Sequence, residues 1–166
     1  KSMEFYLQNK GYFEAEVYPE FDRHERKKIA TVVYKVNNGP LYTIDTTNFI
    51  SRDTGIQRVL VDMRARSLLK KGEPVAKDIY DSETTRITKY LRNNGYAYFY
   101  PNSIAPLQGD STENKVDVTL EVLRPASDSI HKQYWIGQVS VYLDYNAAIP
   151  EENLLDSLIQ GVHFYS

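Results

Sequence analysis

Two stretches, Tyr6-Leu7-Gln8-Asn9-Lys10-Gly11-Tyr12 and Tyr90-Leu91-Arg92-Asn93-Asn94-Gly95-Tyr96, share the pattern YLxNxGY at an offset of 84 residues, from position 6 to position 90. Five matched positions at one offset mark an internal repeat, and a repeat sets the size of the structural unit. The pattern reads as a helix stop. Tyr and Leu close an apolar stripe, and Asn then Gly end the helix, because glycine adopts the left-handed cap conformation without steric cost. The aromatic that follows opens an extended segment. Tyr6, Leu7, Gly11, Tyr12 and their counterparts Tyr90, Leu91, Gly95, Tyr96 are therefore structural positions rather than ligand contacts.

The flanks repeat as well. Phe13-Glu14-Ala15-Glu16-Val17 is followed by the alternating run Ile29 to Val36 and by Gly39-Pro40-Leu41-Tyr42-Thr43-Ile44. Ala97-Tyr98-Phe99-Tyr100 is followed by Val116 to Val122 and by Gln133-Tyr134-Trp135-Ile136. Phe13, Ala15 and Val17 alternate with Glu14, Glu16 and Tyr18, and Tyr98 and Tyr100 alternate with Ala97 and Phe99. Ala30, Val32, Tyr34 and Val36 alternate with Thr31, Val33 and Lys35, and Val116, Val118, Leu120 and Val122 with Asp117, Thr119 and Glu121. Period two predicts strands with one buried and one wet face.

Between the copies, Tyr42 to Ile50 predicts a strand, and two helices follow it. Asp53 caps the first, with Ile56, Val59, Leu60 and Met63 as its stripe and Gly72 as its end. Ala76 or Asp78 starts the second, which carries Ile79, Ile87, Tyr90 and Leu91 to Gly95. The fold class is thus α+β: tandem β-α-α-β-β units, each a three-stranded mixed sheet covered on one face by two helices. The expected domains are 1–38 (the C-terminal half of one unit), 39–125 (a complete unit) and 132–166 (the beginning of a following unit). Within the last, 132–145 supplies an opening strand and Pro150-Glu151-Glu152 begins a short helix. The chain reads as a piece of something longer.

Composition narrows the function. The 166 residues are 42% hydrophobic and 25% charged, with net charge −2, which describes a globular chain without the basic surface that nucleic acid requires. The cluster Arg23 to Lys28 and the run Asp110 to Asn114 read as solvated hairpin loops. There are no cysteines, so disulfides and thiolate metal sites are excluded. No run approaches the ~20 apolar residues of a membrane helix, and the N-terminus lacks the apolar core of a signal peptide. His24, His131 and His163 lie far apart without metal-ligand spacing, and no hydrolase, zincin, P-loop or dinucleotide motif occurs. No catalytic residue, metal or cofactor is expected.

The β-α-α-β-β order, the helix-ending YLxNxGY and the G-x-x-Tyr-x-Ile lead into the next strand resemble POTRA domains. Such domains stand in tandem before the barrel of outer-membrane assembly factors of the BamA/TamA type (bacterial surface antigen family). The second junction departs from the pattern: Arg124-Pro125-Ala126 to Tyr134-Trp135-Ile136 is a longer linker, expected to bend, with no Gly before the Tyr. The resemblance implies a non-enzymatic periplasmic part of an outer-membrane protein. Its partners would be unfolded outer-membrane proteins and accessory assembly proteins, and its parent would be embedded through a barrel absent here. POTRA-type modules of a two-partner secretion pore or a cell-division protein, and a passive periplasmic spacer, are the alternatives. The expected mechanism is strand addition, in which an extended segment pairs with an exposed sheet edge. Pro19 and Pro101 direct the choice of edge to 12–19 and 96–102, because proline is tolerated on edges and not in central strands. The candidate contacts there are Phe13, Ala15, Val17, Tyr18, Ala97, Tyr98, Phe99 and Tyr100.

Overall fold

A computed structural model describes residues 2–24, 29–125, 130–143, 156–159 and 161–165. They form two compact units, Lys1–Lys132 and Gln133–Ser166, so the expected 38/39 boundary falls inside the first. In the first unit, helix α1 (Ser2–Gln8) leads to strands β1 (Glu16–His24) and β2 (Ile29–Asn37), which pair antiparallel as a ribbon. Strand β3 (Thr43–Ser51), helices α2 (Thr54–Met63) and α3 (Lys77–Asn93), and strands β4 (Gln108–Thr112) and β5 (Lys115–Val122) follow. The sheet order is β3-β5-β4, with β3 parallel and β4 antiparallel to β5. This is the β-α-α-β-β unit with a mixed sheet that the sequence predicts.

The core lies between that sheet and its two helices. Val116, Val118, Leu120 and Val122 of β5 point into it, as period two requires, and meet Ile56, Leu60 and Met63 of α2 and Ile87 and Leu91 of α3. The Asp53 carboxylate caps α2 by accepting from the Gly55 and Ile56 N–H groups.

The two YLxNxGY copies fold alike. Leu7 O accepts from the N–H groups of Lys10 and Tyr12, and Leu91 O accepts from those of Asn94 and Tyr96. Ala15 N–H reaches Tyr12 O at 3.2 Å, and Phe99 N–H reaches Tyr96 O at 2.9 Å. Gly11 (φ 95°) and Gly95 (φ 91°) occupy the left-handed region at equivalent places. After this turn the copies diverge. Chain 12–15 is a turn and β1 begins only at Glu16, whereas 96–100 is non-strand and Pro101–Ser103 is a 3-10 turn. The expected strand at 96–102 is therefore absent. Phe99 drops into the core, and the strand that serves the sheet is β4, beyond the 3-10 turn.

Other expectations need correction. Helix α2 ends at Met63, far short of Gly72. A 3-10 turn (Arg64–Arg66) follows it, and beyond that turn the chain is held by Glu83, a buried carboxylate on the core side of α3. It accepts from Ser67 Oγ (2.9 Å), Leu68 N–H (3.0 Å), and Arg86 Nε and Nη2 (2.8 and 2.7 Å). Those bonds draw the chain out of helical geometry at Ser67. Asp110–Thr112 lie in β4, so only Glu113 and Asn114 make the hairpin turn, with Glu113 at φ 56°. Strand β2 is exposed along its whole length, because helix α1 meets the ribbon only at the end around Val17 and Val36. Of the basic cluster, Arg23 and His24 extend β1, and 25–28 lie outside the described residues.

The second unit contains more than an opening strand. Strands β6 (Val139–Tyr142), β7 (Asp156–Ile159) and β8 (Val162–Tyr165) form a sheet of order β6-β8-β7. Strand β6 runs parallel and β7 antiparallel to β8, the same relation as β3, β4 and β5. The helix expected from Pro150 lies outside the described residues.

Candidate functional site

A three-stranded sheet has two edges, and each offers backbone groups that must find partners or face water. The β3 edge is filled by the protein's own chain. Val75 N–H donates to Tyr42 O (2.9 Å), Ile44 N–H to Glu73 O (2.8 Å), and Gly72 N–H to Ile44 O (2.7 Å). Thr47 Oγ1 reaches Leu69 O (2.9 Å), and the Gln57 side chain takes Ser51 N–H and gives to Phe49 O. The segment from Leu69 to Val75 thus runs along the start of β3 and covers it, while Gln57 covers the far end.

The β4 edge carries no such cover. All five residues, Gln108 to Thr112, are exposed, and the strand pairs only with β5 among the described residues. Beside it, on the core face of the sheet, lies a groove of about 300 Å³ lined by Phe13, Tyr42, Val75, Leu107, Gly109, Ser111, Val116 and Val118. At Gly109 a Cβ would come within 2.8 Å of Val116 Cγ1, so only glycine leaves the groove floor as it stands. A strand added to β4 lies ~4.8 Å from it and projects alternate side chains over this groove.

The element before the sheet supplies one wall. Phe13 meets Tyr42 edge-on, with ring centroids 5.2 Å apart, and the Tyr42 hydroxyl donates to Glu14 Oε1 at 2.6 Å. That hydrogen bond is the main reason the Tyr42 phenol is raised above its ordinary value, with burial and the Glu14 charge adding to it. Backbone bonds fasten the same junction: Tyr42 N–H to Gly11 O and Lys77 N–H to Asn9 O, both 2.9 Å. Lys10 pairs with Asp78 at 2.8 Å.

The residues chosen from sequence as edge contacts do not gather at one edge. Val17 and Tyr18 lie in β1, where Val17 N–H is already given to the Glu4 carboxylate. Phe13 lines the groove from a turn, and Ala15 is buried. Ala97 follows the Gly95 turn, Phe99 is core, and Tyr98 and Tyr100 are exposed, the latter beneath the Arg92 guanidinium at 5.3 Å. Pro19 sits in β1 opposite Tyr34, and Pro101 opens the 3-10 turn. What sequence reasoning missed is β4. Gln-Gly-Asp-Ser-Thr has no apolar alternation, and its one signal was the Glu113-Asn114 turn between it and the β5 pattern. No cluster of metal-ligating side chains occurs among the described residues, and no helix among them is long and apolar enough to cross a membrane.

Comparison with known proteins places these observations in context. The solved structures it matches include POTRA tandems of BamA. The crystal structure of Haemophilus influenzae BamA POTRA3-5 matches at a TM-score of 0.44 and 17% identity, over 90% of this chain and 54% of that one. BamA from Haemophilus ducreyi lacking POTRA domains 1-3 matches at 0.43 and 13%, over 74% and 21%. The chain therefore spans about half of the first structure and a fifth of the second. No protein-family model and no curated protein matches.

Proposed function

We propose that this chain is a POTRA tandem from the periplasmic part of an outer-membrane β-barrel assembly factor, and that it holds extended polypeptide by strand addition along β4. One observation carries the mechanism: the protein covers the start of the β3 edge with its own residues 69–75 and the far end with Gln57, and among the described residues it leaves β4 open beside an apolar groove. Backbone pairing gives affinity with little demand on sequence, which suits a module that meets many clients. The groove adds a preference for apolar side chains at alternate positions. The occupants fitting this edge are unfolded outer-membrane proteins or accessory assembly proteins, and the module works by binding, with no reaction of its own.

The test is an NMR titration of the isotope-labelled chain with extended peptides of alternating apolar and polar residues. Amide shifts centred on 108–112 and on the groove residues support the reading, as does their loss in Ser111→Phe, whose ring fills the groove. Absence of any shift at millimolar peptide refutes strand addition at β4 and leaves a spacer role. Shifts centred on 16–24 instead would move the site to the β1 edge.

A further inference from the structure

The sequence portrays Arg124 to Gln133 as a free, bendable linker, but the structure ties down both its start and its later part. Leu123 N–H donates to Ser103 O at 2.8 Å, and Arg124 Nη2 donates to Arg52 O at 2.7 Å. Seven residues on, His131 returns to the same end of the unit. Its backbone N–H donates to Asp53 Oδ2 at 2.7 Å, its ring lies 5.2 Å from that of Phe99, and its Nε2 is 2.9 Å from Leu123 O. Asp53 is 2% exposed, and its other oxygen is the cap of α2.

We propose that Asp53 and His131 form a latch that shortens the tether between the two compact units. With the latch closed, the stretch from Leu123 to His131 begins and ends within 2.9 Å of itself and adds no reach. The tether is then only the run from Lys132 to β6. With the latch open, about eight further residues join it, which adds up to ~25 Å when fully extended and on the order of 15 Å as a flexible coil. The bond suits this role. A hydrogen bond to a buried carboxylate is of the strong, charge-assisted kind, and the His131 ring adds its contacts with Leu123 O and Phe99 to it. Because Asp53 also caps α2, the closed latch is built on a group that folding has already fixed in place.

The chain has no cysteine, so a pair can be introduced cleanly at exposed positions, Lys89→Cys in α3 and Ser157→Cys in β7, and spin-labelled. Asp53→Asn keeps a capping oxygen on α2 but turns an amide donor toward the His131 N–H. His131→Pro removes that N–H and the ring while leaving Asp53 untouched, and so serves if Asp53→Asn misfolds. The expected result is a label-to-label distance distribution that broadens and lengthens by on the order of 10 Å in either variant. The His131 amide should be protected from hydrogen exchange in the parent and lose that protection in Asp53→Asn. Identical distributions in parent and variants, or a parent His131 amide exchanging at the rate of unstructured chain, overturn the proposal.

Discussion

Replacing Glu83 by alanine should both destabilise the first unit and open its second sheet edge. The carboxylate is fully buried and receives four donors, from Ser67, Leu68 and twice from Arg86. Its removal leaves the Leu68 N–H and the Ser67 hydroxyl without their partner and strips Arg86 of its counter-charge. Breaking a buried pair from one side costs about 3–5 kcal/mol, and a partly exposed Arg86 that turns to water brings the expectation to the lower end, about 3 kcal/mol. In a unit of this size that lowers Tm by on the order of 10 °C. Urea unfolding of parent and variant measures the loss. Hydrogen exchange locates it, with Leu68, Leu69, Gly72 and Val75 amides losing protection before those of β5. The effect has a pH signature. Burial pushes the Glu83 carboxyl up, but Arg86, the Leu68 N–H and the Ser67 hydroxyl outweigh it, and the group titrates below its ordinary value. A depressed value means the stabilisation is fully present above the unfolded pKa of about 4.3 and is lost as pH falls through the folded one. The stability gap between parent and Glu83→Gln should therefore be flat from pH 5 to 8 and shrink below about 4. A cost under about 1 kcal/mol for Glu83→Ala, with 68–75 still protected, would falsify the claim that this carboxylate holds the β3 seal.

Glycine substitutions should separate strain from crowding. Gly72→Ala meets nothing within 4 Å and should cost about 1 kcal/mol from its positive φ alone, whereas Gly11→Ala also crowds Leu41 Cδ1 at 3.2 Å and Tyr42 O at 3.3 Å and should cost roughly twice that in chemical denaturation. Glu113→Gly relieves the one left-handed non-glycine residue among the described residues and should raise stability by up to ~1 kcal/mol, read as a higher urea midpoint at unchanged slope. Glu14→Gln should lower the spectrophotometric titration point of Tyr42 toward the ordinary phenol, because the carboxylate that accepts its proton is what raises it.

Much of the fold is local and was therefore legible in the sequence. The YLxNxGY stop depends on a left-handed glycine and on bonds reaching no more than five residues back, so both copies fold alike wherever they stand. The α2 stripe with its Asp53 cap and the alternation of β5 follow from helix and strand periodicity. The tertiary structure decided what hangs on long-range pairing. Glu83 reads as an ordinary polar helix residue, and only its approach to Ser67 and Leu68 shows why the helical stretch does not run on to Gly72 and where the chain beyond it goes. Strand β4 has no strand-like pattern of its own and exists because β5 gives it a ladder. Which edge is open was undecidable from one-dimensional pattern: an edge is defined by what lies beside a strand, and here residues 69–75 lie along β3 while none of the described residues lies along the outer side of β4.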